Sequence, residues 1–205
     1  MPIIQFPTDR IVGTVEWLGS WTGERGPVLA TGSVNVPDDV TVSLDVQAVR
    51  GTESSGEDSW TIDVAQDAVD LGFLRELPDT CVESLTLKSS DEATFDAVAH
   101  LAPGLRRLYL VWAGFSDAVL ETVAKLTGLT YLQTFGNDFT DHGVQQLASL
   151  VNLDHLYLEE QTLTAAAFDF ADQLPRLARL GLQDVPVSED ELQRLRERLP
   201  GVDVG

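Results

Sequence analysis

Cysteine, lysine and long apolar runs are all scarce in this sequence. Cys81 is the single cysteine among 205 residues, which excludes an internal disulfide and a thiolate metal cluster formed within the chain. No histidine or other base is implied beside it, so it reads as a buried structural thiol rather than a nucleophile. No apolar run approaches the roughly 18–20 residues needed to cross a bilayer. The opening residues, MPIIQFPTDR, have neither the basic start nor the apolar stretch of a secretory leader. The expectation is a cytoplasmic protein, monomeric by itself.

Bases are scarce too. Thirteen Lys and Arg face 33 Asp and Glu, for a formal charge of −20, and Lys88 and Lys125 are the only lysines. Such a surplus repels phosphate backbones, so neither nucleic acid nor an anionic membrane is expected as a partner. Catalytic patterns are also missing. No G-x-S-x-G, phosphate loop or dinucleotide fingerprint occurs. His100, His142 and His155 are widely separated along the chain, with none of the short spacings that metal-binding histidines show. His155 and Glu159 would share a strand face but sit about 13 Å apart, too far to share one ion. No catalytic residue, cofactor or metal site is predicted.

What the chain does have is a repeat. With 43% hydrophobic residues it can bury a core, and from about residue 67 that content becomes periodic. VESLTL from Val82, LRRLYL from Leu105, LTYLQT from Leu129, LDHLYL from Leu153 and LARLGL from Leu177 overlay on one another. Their starts recur at a near-constant interval of about 24 residues, the mark of a stacked repeat architecture. A helical apolar pattern follows each: Leu120, Val123 and Leu126, then Val144, Leu147 and Leu150, then Leu163, Phe168, Ala171 and Leu174, then Val187, Leu192 and Leu195. Ser116, Thr140, Thr164 and Ser188 stand where helix N-caps are wanted, and Ser188 with Glu191 makes a capping box. Arg198 replaces an expected leucine in the last unit, so 188–205 reads as a C-terminal cap with a final edge strand near Val202 and Val204.

Residues 1–66 do not share the period. Ser33–Val36 and Val40–Val46 alternate around Pro37-Asp38-Asp39, predicting a hairpin, and Trp60, Ile62 and Val64 predict another strand. Gly19–Pro27 and Arg50–Ser59 read as loops. The segment is expected to be an N-terminal β-rich cap, with Val40–Val46 able to lead the repeat sheet.

Residues 71–205 resemble bacterial leucine-rich-repeat proteins, whose unit runs L-x-x-L-x-L-x-x-N-x-[FVI]-[TS]-D. LTYLQTFGNDFTD, from Leu129 to Asp141, matches best. Asn137 is the motif asparagine, while Ser90, Ala113, Gln161 and Val185 replace it elsewhere, and Thr134 stands in place of the last strand leucine. The resemblance implies an α/β fold: a short right-handed β-α superhelix of about five repeats over 67–205, parallel strands inside and helices outside. It also implies protein–protein recognition on the concave face, usually without chemistry.

Alternation along the strands predicts three outward columns. They are Ser84, Arg107, Tyr131, His155, Arg179; then Thr86, Tyr109, Gln133, Tyr157, Gly181; then Lys88, Val111, Phe135, Glu159, Gln183. All three tyrosines fall there, Phe135 joins them, and Trp112 lies one residue beyond. A protein or peptide partner is therefore expected on Arg107, Tyr109, Trp112, Tyr131, Phe135, His155, Tyr157 and Arg179. Lys88, Arg107 and Arg179 against Glu159 give these columns a slight positive excess, predicting a partner with carboxylates and apolar groups. Two roles fit: an adaptor, or a stoichiometric inhibitor or immunity protein that neutralises a toxin or enzyme, a basic one in particular.

Overall fold

The computed structural model describes residues 14–23, 26–34, 42–46, 60–64, 71–76, 79–80, 82–88 and 92–205, with side chains described from residue 71 on except 73 and 76. They belong to two compact units, Met1–Leu105 and Arg106–Gly205.

In the first unit the strands are β1 (Thr14–Gly23), β2 (Gly26–Val34), β3 (Val42–Val46), β4 (Trp60–Val64) and β5 (Val82–Lys88). β1 and β2 form an antiparallel pair with Gly23 opposite Gly26. Most of the segment expected as a glycine-rich loop, Gly19–Pro27, is therefore strand. Only Glu24 and Arg25 separate the strands, the length of a tight hairpin, and the glycines that signal a loop flank that connection. β3 pairs parallel with β1 and antiparallel with β4. The expected pairing of β3 with the end of β2 does not form: β1 lies between them. β4 follows the alternation of Trp60, Ile62 and Val64, and it, not Val40–Val46, pairs parallel with β5. Pro37-Asp38-Asp39, Arg50–Ser59 and Cys81 lie outside the described residues. After β5 a 3-10 helix, Glu92–Leu101, buries Phe95, Ala97, Val98 and Leu101.

The second unit is built on the repeat. β6 (Arg107–Val111), β7 (Tyr131–Phe135), β8 (His155–Glu159), β9 (Arg179–Gly181) and β10 (Asp203–Val204) are parallel. Arg107, Tyr131, His155, Arg179 and Asp203 stand side by side, each one repeat length after the last. Leu108, Leu132, Leu156 and Leu180 are buried behind them, and each contributes on the order of 2 kcal/mol. The returning segments are α1 (Asp117–Val123), α2 (Asp141–Val144) continued by a 3-10 turn Gln145–Ser149, a 3-10 helix Ala165–Gln173, and α3 (Glu189–Arg198). The apolar residues predicted to pack inward are buried in the first three, but in α3 only Leu195 is. That exposure suits a terminal unit.

Side chains rivet unit to unit on the helical side. Ser116 and Thr140 accept from backbone N–H groups of Ala118 and Gly143, as N-caps do. Asp117 in turn accepts from the Thr140 N–H at 2.8 Å and from its hydroxyl at 2.6 Å. Asp141 repeats this with Thr164. The series stops there, because Ala165 follows Thr164. Thr164 makes no side-chain cap bond, contrary to expectation, and no acid lies in the first turn of this 3-10 segment. Ser188 and Glu191 form the predicted capping box. Arg198 binds Asp169 at 2.7 Å and the Phe168 carbonyl at 2.6 Å, clamping the last helix where a leucine would have packed.

Asn137 fills the role its motif implies: its Nδ2 donates to the Leu110 and Phe135 carbonyls, and its Oδ1 accepts from the Phe115 N–H. The two departures from the motif compensate each other. Gln161, where asparagine is expected, donates to the buried hydroxyl of Thr134, where leucine is expected. Thr134→Val alone should therefore cost about 1–3 kcal/mol, since the glutamine amide loses its acceptor. Adding Gln161→Met should recover part of it, giving a coupling above about 0.5 kcal/mol in urea unfolding. Simple additivity of the two substitutions would refute the pairing.

Candidate protein-binding face

Period-two alternation turns one side of β6–β9 outward, and all eight side chains predicted for a partner belong to this second unit. Three rows cross the strands. Arg107, Tyr131, His155 and Arg179 form the first, Tyr109, Gln133, Tyr157 and Gly181 the second, and Val111, Phe135 and Glu159 the third. The corresponding positions of β5, Ser84, Thr86 and Lys88, belong to the first unit. Ser84 is nonetheless buried. It sits where the β4–β5 pairing shifts register, next to the Trp60/Thr61 irregularity.

The aromatic rings are gathered into one ledge. Tyr131 lies between Tyr109 and Tyr157, with ring centroids 5.0 and 5.4 Å away and tilts of 36° and 34°. His155 stacks on the same ring at 5.9 Å and 25°. Such offset contacts suit the ring quadrupoles. Gly181 makes room at one end: a Cβ there would overlap Cδ1 of Tyr157. The guanidinium of Arg179 lies 5.9 Å from the Tyr157 ring centroid and binds Asp203 at 2.8 Å.

A hydrogen-bond relay fixes the centre. The Tyr131 hydroxyl donates to Oε1 of Gln133 at 3.0 Å, and Nε2 of Gln133 donates to Glu159 at 2.8 Å. Burial pushes the Tyr131 phenol up to about 12, with the neighbouring charges of Tyr109, Tyr157 and Glu159 adding to it against Arg179. The phenol at the centre of the ledge is therefore uncharged across the physiological range. Gln133, Glu159 and Gly181 were legible as column members, but nothing in the sequence marks their supporting roles.

Beyond the third row each strand ends in a left-handed residue: Trp112 at φ 49°, Gly136 at 63°, Glu160 at 49° and Asp184 at 57°. They recur once per repeat. Glycine suits this conformation and tryptophan does not. Trp112 is nonetheless 58% exposed. Its ring meets Phe135 edge-on at 4.6 Å and 84°, and it covers Gly136, where a Cβ would overlap Cε3 of the indole. A bulky apolar residue held exposed in a strained backbone is the kind of outlier that points to function.

Among the described residues no three His, Cys, Asp or Glu side chains come together as metal ligands would, and no helix is long and apolar enough to cross a membrane.

Neither protein-family models nor curated proteins give a match. Among solved structures the chain is similar to an internalin from Listeria monocytogenes, at 17% identity over 66% of this chain and 52% of that one, with a TM-score of 0.42. It spans about half the length of that protein. An internalin C2 from the same organism gives 19% identity over 71% and 80% of the two chains, TM-score 0.41. A leucine-rich-repeat protein from Leptospira interrogans gives 15%, 65%, 62% and 0.28. The architecture of the second unit rests on its own geometry, a parallel ladder of one strand per repeat with the motif residues in place. Its fold is of the leucine-rich-repeat kind.

Two measurements check this face. Glycine should serve better than alanine at position 112: Trp112→Gly loses the ring contact but relieves the left-handed strain, so it should be more stable than Trp112→Ala by about 1 kcal/mol. An alanine variant as stable as the glycine one would contradict that backbone. Subtracting the alkaline absorbance titration of Tyr131→Phe from that of the wild type should leave one phenol ionising at about 12. Because folding raises this pKa, its effect on stability is nil below the unfolded value of about 10 and destabilising as pH rises from there, where the unfolded phenol ionises first. A difference curve centred near the unfolded value would refute the burial.

Proposed function

We propose that this chain is a non-enzymatic protein-interaction module that grips a protein or peptide on the outward face of β6–β9. One observation carries the reading: the three tyrosines of the chain stand in contact on that face, with Phe135 and Trp112 beside them. Tyrosine and tryptophan offer large contact area at low entropy cost and keep a polar handle for hydrogen bonding. The rings stack on one another and the centre is tied by the Tyr131–Gln133–Glu159 relay, so little freedom is lost on binding. Arg107, His155 and Arg179 border the ledge, and the chain's own acidity directs it away from nucleic acid and anionic membranes. Residues 1–66 serve as the cap of the repeat.

Replacing Tyr109, Tyr131 and Tyr157 together by serine is the test. Circular dichroism should confirm a folded chain, with melting lowered by roughly 5–15 °C for the lost ring contacts. Affinity capture with partners identified by mass should then lose what the wild type retains, while an Asp172→Asn variant on the helical side retains it. Recovery of the same partners at the same strength by the serine variant would remove the face from consideration.

A further inference from the structure

The charges around the ledge are not evenly spread, and their placement selects the chemistry of the partner. On β6–β9 the bases stand in the first row only. Of these, Arg179 is already committed to Asp203 and to the Tyr157 ring. From the second row onward, the outward and strand-terminal positions 109, 111, 112, 133, 135, 136, 157, 159, 160, 181 and 184 carry no base but three acids, Glu159, Glu160 and Asp184. Lys88 of the third column belongs to the first unit; within β6–β9 the only bases, Arg107 and Arg179, stand in the first row, and the strand ends that carry the exposed Trp112 are negative.

We propose that the partner presents an extended segment bearing arginine or lysine, whose cationic side chain lies against the Trp112–Phe135 pair and is neutralised by Glu159. This rests on the sheet face being the binding face. Phe135 and Glu159 are register neighbours on β7 and β8, so an aromatic surface and a carboxylate lie about 5 Å apart along the sheet. The carboxylate is held by Gln133 through one oxygen, which orients it before any partner arrives. Cations favour the faces of tryptophan and tyrosine, and the molecule supplies its own example in the Arg179 guanidinium over Tyr157. From Tyr109 to Tyr157 the ledge crosses three strands, about 10 Å, which calls for a length of polypeptide rather than a lone amine. The net charge of −20 adds long-range attraction for a basic partner and speeds its encounter.

The experiment is a selection from a random displayed-peptide library on the immobilised full chain, washed at about 0.5 M salt to strip diffuse electrostatic binding. Recovered peptides should be enriched in arginine and lysine over the input. Synthesised versions should bind the wild type about tenfold more tightly than the Glu159→Gln or Trp112→Gly variants, a change suited to loss of one buried anchor, and equally well to Asp172→Asn. Peptides that need the three tyrosines yet are apolar or acidic overturn the basic partner and leave the face standing. So does equal weakening by Glu159→Gln and Asp172→Asn, which marks the attraction as diffuse. A selection yielding nothing dependent on Tyr109, Tyr131 and Tyr157 overturns the face itself, and this inference with it.

Discussion

Everything in the second unit follows from one constraint, the register of its parallel ladder. Each strand residue must meet its counterpart one repeat later for the backbone bonds to close, and a slip of a single position would turn each leucine outward. The register therefore fixes which side chains are buried and which form rows. It also fixes where each strand must end. The left-handed backbone at 112, 136, 160 and 184 recurs because the turn recurs, whatever residue happens to occupy it. Glycine meets that demand freely at one site; tryptophan meets it only because the ladder on either side leaves no alternative.

The second layer of restraint is polar and runs across units rather than along them. Asp117 to Thr140 and Asp141 to Thr164 couple the starts of successive returning segments. Gly143 is part of that device, since a Cβ there would overlap the Asp117 carboxylate. At the ends of the strands Asn137 holds three backbone groups, and Thr134 with Gln161 replaces one leucine and one asparagine by a bonded pair. A polar residue in a leucine position is costly when left without a partner, so the two departures are tolerable together and not singly.

Legibility differed with the kind of signal. Leucine periodicity reports burial directly, so the strands β5–β9 and the inward residues of the first helical segments could be read off the chain. Residues that act through tertiary neighbours could not. Ser84 alternates outward by position, yet it is buried beside a register shift set by β4. Gly23 and Gly26 read as loop, although glycines also bound a tight hairpin. The helical pattern of Ala165–Gln173 has the same apolar spacing as an α-helix, yet the segment is 3-10 and has neither a side-chain cap bond nor a first-turn acid. Of the candidate face, the aromatic columns were visible and the balance of charge was not. Arg179 counts as a free base in sequence, whereas Asp203 meets it from the strand one unit on.

Affinity depends on what is lost on binding as much as on what is touched, and this separates the two surfaces of the repeat. On the helical side the ordered acids, Asp117, Asp141, Asp169 and Glu191, are already spent on partners within the repeat. On the sheet face the ordering is already done. Tyr131 is enclosed by two rings and a histidine, Gln133 is fixed at both ends of its amide, and Glu159 is aimed by it. Trp112 is held exposed against its own backbone preference, where the fold alone would be served by the glycine found one repeat later. A ring kept in that place at a cost to the folded chain makes sense if something outside the chain covers it, and on the proposal made above Glu159, one strand beyond Phe135, selects the charge of that something.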